Sequence, residues 1–357
     1  MKNEIWILGA TGRSGRHVAS LIANRGVALV LVGRSRETLD ALATSLPGEH
    51  RILVGSLEQN LAQLSSDAPG VVVNTVGPFA TTATQVAGAL PAGTHYADLS
   101  NEFAATDDIL KLDRQAADAG QTLVSGAGYG VLGTESVVLR LCEGRPKPAS
   151  VRVDALPAIV LEGGTVGAAL AGSIVQVVRF GGREVREGRL VRSATGAHFA
   201  RLVTPDGDVL STGGGASGEL LAAWRASGAP SVVAASTAAP RNPLVRRLAI
   251  PVLSAIIRVP GVPRFLERRI AGIPLTAAPM PRASTWAHAL VRWDSGEIRE
   301  GWLRLGNASD FTSGVLAEVA YRLLQGEGRP GAFTPGSLLG AELAEQLGGV
   351  LTTSSSW

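Results

Sequence analysis

The segment Gly9-Ala10-Thr11-Gly12-Arg13-Ser14-Gly15 carries the most specific chemistry in this chain. Glycines at that spacing let a backbone turn sharply and approach a diphosphate, whose charge is met by N–H groups at the start of the helix that follows. A site of this kind normally places an acid about 20 residues downstream, at the tip of the second strand, to hold the adenosine ribose. Here the tip reads Val32-Gly33-Arg34-Ser35 and the acid is missing. A guanidinium pairs bidentately with a ribose 2′-phosphate that a carboxylate would repel. Arg34, with Ser35 as a hydroxyl donor and Arg13 as a second cation, therefore points to NADP(H) rather than NAD.

Three further stretches could face such a cofactor. The apolar run Val71-Val72-Val73-Asn74-Thr75-Val76 stops at Gly77-Pro78-Phe79. Ligands of an open parallel sheet lie beyond the carboxyl ends of its strands, so Asn74, Val76, Gly77 and Pro78 are expected along the cofactor toward its nicotinamide end. After the strand 121–124 comes Ser125-Gly126-Ala127-Gly128-Tyr129-Gly130, whose glycines place Tyr129 at the mouth of the expected cleft. Its phenol is the first candidate for proton donor or substrate clamp. In the strand 94–99, His95 and Asp98, with Glu102 beyond, are candidates for relaying protons. The plainer use of Asp98 and Ser100 is to tie down the connection after the strand.

Other chemistries fail on spacing. Short-chain dehydrogenases need a lysine four residues after the tyrosine to lower its pKa, but Tyr96, Tyr129 and Tyr321 are followed there by Ser100, Gly133 and Gln325. His17, His50, His95, His198 and His288 are dispersed without metal-ligand spacing, so no metal is expected. There is no G-x-x-x-x-G-K-[ST] loop. There is no G-x-S-x-G elbow either, Ser217 being followed by Gly218-Glu219.

The elements that must position these residues alternate. Strands at 4–8, 29–33, 51–54, 71–76, 94–99 and 121–124 are separated by helical patterns at 17–23, 36–46, 57–64, 81–90 and 107–119. The fold class is thus α/β: a Rossmann-type doubly wound parallel sheet, with a second α+β domain. The expected division is 1–130 for NADP binding, 131–305 for substrate binding and dimerisation, and a C-terminal segment, 306–357, packing back on the Rossmann domain. In the second domain, 151–156 reads as a half-buried strand, 163–178 as a small-residue helix, and 286–291 with 298–303 as a hairpin around Asp294-Ser295-Gly296-Glu297. A helix follows over 311–324, and 353–357 is expected to fray.

Together GATGRSG, VVVNTVGPF, GTHYADLSNE, the GAGYG turn and Arg329-Pro330-Gly331-Ala332-Phe333-Thr334-Pro335 resemble the saccharopine dehydrogenase-like reductase family, which includes trans-acting enoyl reductases of lipid and polyketide pathways. The resemblance is strongest over about 4–140 and 285–350. It implies NADP(H) binding through Gly9, Thr11, Gly12, Arg13, Ser14, Gly15, Arg34, Ser35, Val76, Gly77 and Pro78. It hands over no catalytic residue, because Gly128-Tyr129-Gly130 stands where family members often carry an acidic or serine-rich turn.

Composition bounds the rest. In 357 residues, 45% are apolar and 18% charged, against roughly 25% charged in an average soluble protein, which suggests an apolar pocket, a subunit interface, or both. A net charge of +3 and 4% aromatics give no argument for nucleic acid. Cys142 is alone, the first strand starts almost at Met1, and no run of about 18 uncharged apolar residues exists. The expected location is cytoplasmic, with no membrane span. Arg241 to Arg269 holds seven arginines against Glu267 alone, among Leu244, Leu248, Val252, Leu253, Ile256, Ile257, Phe265 and Leu266. Such a region can lie on a membrane surface, dock an acidic carrier protein, or present a solvated face over a substrate pocket. The expected function is NADPH-dependent reduction of a C=C or C=N bond in a largely apolar small molecule, carrier-bound or free, by a homo-oligomer. The alternative is a non-catalytic NADP(H)-binding redox sensor.

Overall fold

Alternating apolar strands and amphipathic helices over the first 124 residues build a parallel sheet covered on both faces. The computed structural model describes residues 2–237, 242, 250–257, 259 and 261–356. In chain order these elements are β1 (Lys2–Leu8), α1 (Arg13–Ala23), β2 (Ala28–Gly33), α2 (Arg36–Ser45), β3 (Arg51–Val54), α3 (Leu57–Asp67), β4 (Pro69–Asn74), α4 (Phe79–Gly88), β5 (His95–Asp98), α5 (Phe103–Lys111), α6 (Asp113–Asp118) and β6 (Thr122–Val124). The expected helix over 107–119 is thus two helices broken at Leu112. The chain continues through α7 (Tyr129–Cys142), β7 (Ser150–Leu156), β8 (Gly164–Thr165), α8 (Gly167–Phe180), β9 (Gly182–Arg186), β10 (Arg189–Ser193), β11 (Ala200–Val203), β12 (Val209–Gly214), α9 (Gly218–Ser227), β13 (Ser231–Ser236), α10 (Ile250–Ile256), α11 (Val262–Ala271), β14 (Pro274–Leu275), β15 (Thr285–Arg292) and β16 (Ile298–Leu305). It ends with α12 (Ala308–Leu324), β17 (Gly331–Phe333), α13 (Pro335–Leu339), α14 (Leu343–Gln346) and β18 (Val350–Ser356).

Two units share this chain. The first takes the chain to Ser100, Ala105–Tyr129 and Ser309–Leu338; the second takes Asn101–Ala104, Gly130–Ala308 and the chain from Leu339. The first unit's sheet has the order β17-β6-β5-β4-β1-β2-β3, all pairs parallel. Every residue of β4 is buried, as a strand covered on both faces requires. β17 completes one edge by pairing with β6, and Arg25 at the end of α1 reaches Glu318 of α12 at 2.6 Å and lies over the Tyr321 ring.

The second unit's sheet has the order β10-β9-β13-β7-β15-β16-β18, with β12 joined to β13 and carrying β11. Among the described residues, only β13 and β7 run parallel within it. Residues after Leu338, expected to lie with the nucleotide unit, belong here instead. Thr353–Ser356, expected to fray, form a ladder with Ile298–Gly301, because β16 has a free edge whose backbone groups need partners. Trp357 lies outside the described residues, as do 241, 243–249, 258 and 260 of the basic stretch.

Candidate functional site

Strand register in the first unit sets Leu8 beside both Val32 and Asn74, Asn74 beside Asp98, and Ala97 beside Val124. The carboxyl ends of five neighbouring strands therefore form one edge, and the strand order turns at β1 and β4, where open α/β sheets bind ligands. The glycine loop, Gly33-Arg34-Ser35, Val76-Gly77-Pro78 and the turn carrying Tyr129 all leave this edge.

Gly9 follows β1 with φ 77°, a left-handed conformation that favours glycine, and a side-chain carbon there would lie 2.9 Å from Thr75 Oγ1. Its N–H and that of Ala10 both donate to Val32 O, at 3.0 and 3.1 Å, and Gly12 N–H donates to Gly9 O at 2.9 Å. Gly15 sits so close to the loop backbone that an added carbon would be 3.0 Å from Ala10 Cα. The first turn of α1 is thereby pressed against the loop. Gly12 is its N-cap, supplies no side chain to the helix end, and no acid stands in the first turn. The positive end of the helix dipole is left for an anion. Arg13 opens the helix on the surface, Ser14 is half-buried, and Thr11 O accepts Arg16 Nη1 at 3.2 Å.

At the end of β2, Gly33 is half-buried, with Leu39 Cδ2 3.3 Å from where a side chain would start. Arg34 is exposed; neighbouring Arg36 pairs with Asp40 at 3.7 Å, whereas Arg34 has no ion pair among the described residues. Ser35 caps α2, its Oγ accepting the Thr38 N–H at 3.4 Å, which leaves its own proton to donate.

The expected strand through Val76 ends two residues early, because Asn74 Oδ1 captures the Val76 N–H at 2.9 Å. Asn74 is fully buried, and its Nδ2 donates to Thr82 Oγ1 and Tyr96 OH, each at 3.2 Å. Its side chain shapes the turn from a fully buried position, and not from the surface of the edge. Val76, Gly77 and Pro78 remain half-buried at the edge, where α4 begins without a side-chain cap.

Tyr96 OH donates in turn to Asp98 Oδ2 at 2.8 Å. Asp98 Oδ1 accepts the N–H of Ser100 at 2.9 Å, the N–H of Gly126 at 3.0 Å and Ser125 Oγ at 3.1 Å. Burial pushes its carboxyl above the ordinary range, and those four donors only partly offset the shift. The group ties the ends of β5 and β6 together, with both oxygens engaged by these donors. His95 is at the other end of β5, about 10 Å of strand from Asp98, and its Nδ1 accepts the Thr122 N–H at 3.0 Å. Burial lowers its pKa, which keeps that accepting nitrogen unprotonated. It fastens β5 to β6 away from the ligand edge. Tyr129, 7% exposed, is the first residue of α7, and its N–H donates to Thr312 Oγ1 of α12 at 3.1 Å.

The second unit holds a charged cluster that histidine spacing could not reveal. His288 on β15 is 2% exposed and lies between Asp154 of β7 and Glu300 of β16, its two ring nitrogens each 3.0 Å from a carboxylate oxygen. The Trp302 ring packs on it with centroids 4.2 Å apart. Arg152 reaches both oxygens of Asp154, at 2.8 and 2.9 Å, and Thr212 Oγ1 donates to Asp154 at 2.6 Å. Burial opposes charge on His288, but the two carboxylates outweigh it and its pKa is raised above 6.5. The partner shifts agree in sign: Asp154 and Glu300 are both lowered. The stability His288 contributes is therefore complete below its free value of 6.5 and is lost as pH rises through the higher folded value. The urea midpoint of the protein is expected to fall from neutral toward alkaline pH, and His288→Gln should flatten that decline; a wild-type midpoint constant over this window would contradict the charged imidazole. Glu219 at the start of α9 was also missed: it is buried, its Oε1 accepts Asn101 Nδ2 at 2.8 Å, and burial pushes its carboxyl above the ordinary range.

Residues 5–124 match the family model of the saccharopine dehydrogenase NADP binding domain. No curated protein sequence matches the chain. Among solved structures it is similar to apo saccharopine dehydrogenase (L-Glu forming) from Saccharomyces cerevisiae, at 12% identity and a TM-score of 0.61, over 99% of this chain and 100% of that one. It is also similar to a short-chain dehydrogenase from Sphingobium yanoikuyae in complex with NADPH, at 18% identity and a TM-score of 0.29, over 34% of this chain and 70% of that one. A bulky-bulky ketone specific alcohol dehydrogenase from Comamonas testosteroni matches at 17% identity and a TM-score of 0.29, over 34% and 74%. The first likeness shows the two-unit fold.

Proposed function

We propose that this chain, whose residues 5–124 match the family model of the saccharopine dehydrogenase NADP binding domain, is an NADP-dependent oxidoreductase that reduces a C=C or C=N bond of a largely apolar small molecule. One observation carries the cofactor side of the reading: a helix start without a side-chain cap and a surface guanidinium, Arg34, without an ion pair among the described residues both leave the same sheet edge, where an NAD site would hold an acid. The residues fit the cofactor, since the closeness of Gly9 and Gly15 to neighbouring backbone and side chains keeps the loop flat enough for a diphosphate.

In this reading the loop from Gly9 to Gly15 and the first turn of α1 hold the diphosphate, Arg34 and Ser35 hold the 2′-phosphate, with Arg13 as a second cation, and Val76, Gly77 and Pro78 line the nicotinamide side. When bound, NADPH supplies the hydride. Tyr129, fixed at the start of α7 by Thr312, donates the proton or clamps the substrate. Gly33 brings Arg34 to the edge.

Arg34→Asp is expected to shift the ratio of NADP to NAD affinities by more than about tenfold toward NAD, the scale of one lost charge-assisted pair; titration of each nucleotide checks this, and an unchanged ratio removes Arg34 from the site. The reaction class is tested by following nicotinamide absorbance with the purified chain and either an enoyl thioester or a 2-oxo acid with an amine. Turnover of one class selects C=C or C=N chemistry. Tight NADPH binding with no turnover of either would favour the redox-sensor reading.

A further inference from the structure

Exposed apolar side chains are normally scattered over a protein surface, and a contiguous group marks a binding face. Of the fifteen large apolar residues exposed among the described residues, ten lie within 159–174 and 252–273. These stretches are neighbours in the second unit: β8 pairs with β14, Leu161 bridges Ala278, and both α10 and α11 pack on α8. Val252 is 59% exposed, Val259 53% and Phe265 59%.

α11 shows how the face is built. Val262, Leu266 and Ile270, spaced four apart, are half-buried on one side, and no residue of the helix is fully buried. Arg264, Phe265, Arg268 and Arg269 share the opposite, exposed side. The Arg269 guanidinium lies over the Phe265 ring at 5.8 Å. An aromatic flanked by arginines thus points outward beside a wider apolar surface, within a stretch holding seven arginines and one glutamate.

We infer that this face of α10 and α11 docks on an anionic lipid surface. Charge complementarity selects the occupant. A second copy on a two-fold axis would bring the same arginines against each other. An acidic protein would answer the arginines but leave the broad apolar surface without a counterpart. A bilayer interface answers both at once, with phosphates at the level of the guanidinium groups and acyl chains below them for the apolar side chains. No helix among the described residues is long and apolar enough to cross a membrane, so the chain lies on the surface without spanning it.

The test is flotation of the full-length protein with phosphatidylglycerol or phosphatidylcholine vesicles, at low and high salt, alongside sedimentation velocity without lipid. Wild type should float with phosphatidylglycerol only, and salt should release it. Phe265→Asp and the double variant Arg268→Glu/Arg269→Glu should each bind at least about tenfold more weakly, by loss of an apolar anchor or of charge near the headgroups. NADPH titration, expected to be unchanged in both, confirms that they fold. Equal binding to both lipids, binding to neither, or a dimer that Phe265→Asp converts to monomer in the absence of vesicle binding would overturn the inference.

Discussion

Asp98→Ala should lower the unfolding free energy by about 4 kcal/mol, because each buried donor left without an acceptor costs about 1–3 kcal/mol. The carboxylate accepts from Ser100 N–H, Gly126 N–H, Ser125 Oγ and Tyr96 OH inside a fully buried pocket. The two hydroxyls can rotate; the two backbone amides cannot, so their loss sets the lower bound. Against a typical total of about 5–15 kcal/mol, this is a large share of stability. Asp98→Asn is the sharper control. It keeps the Oδ1 acceptor for three donors and replaces only the oxygen facing Tyr96, so about 1 kcal/mol is expected. Urea denaturation of both variants checks the order. Equal costs would mean that negative charge, rather than the number of acceptors, holds the ends of β5 and β6 together.

Tyr129→Phe should reduce kcat on the order of 10²–10⁴-fold, the usual contribution of a positioned proton donor, with NADPH affinity unchanged. The phenol belongs to a residue whose backbone is pinned by Thr312 at 3.1 Å, so removing one oxygen alters chemistry without moving the helix start. Thr312→Val is the positioning control and should cost far less. Stopped assays on the substrate class identified by absorbance decide it, and a loss below about threefold would transfer proton donation to another group.

Local signals made the nucleotide edge legible. Glycine spacing, the missing acid and the stop after an apolar strand are all written within a few consecutive residues, and parallel register then brings them to one side of the sheet. The direction in which Asn74 and Asp98 point was less legible. Both stand at the predicted carboxyl ends, yet both side chains turn inward because Tyr96, Thr82 and the backbone amides around them come from separate elements. His95 shows the same limit in reverse: a four-residue strand puts its first and last residues on opposite edges. The Asp154–His288–Glu300 cluster was hidden because antiparallel pairing joins residues 134 positions apart. Asp154 and His288 each stand between apolar neighbours in their strands, but only the register says that they meet each other and Glu300. In β18, a run of Thr and Ser read as a loose tail, and its order comes from the neighbouring edge rather than from its own side chains.

The strand Gly331–Phe333 that closes the edge beside β6 has a consequence for how this chain is made. Ribosomal synthesis delivers the first six strands long before this seventh, so the nascent nucleotide unit waits with a bare strand margin while roughly two hundred further residues emerge. A margin of that kind invites wrong partners, and its late closure makes the early strands depend on a segment synthesised much later. A piece cut after Tyr129 would carry every nucleotide-facing motif and still lack the rim that seals it.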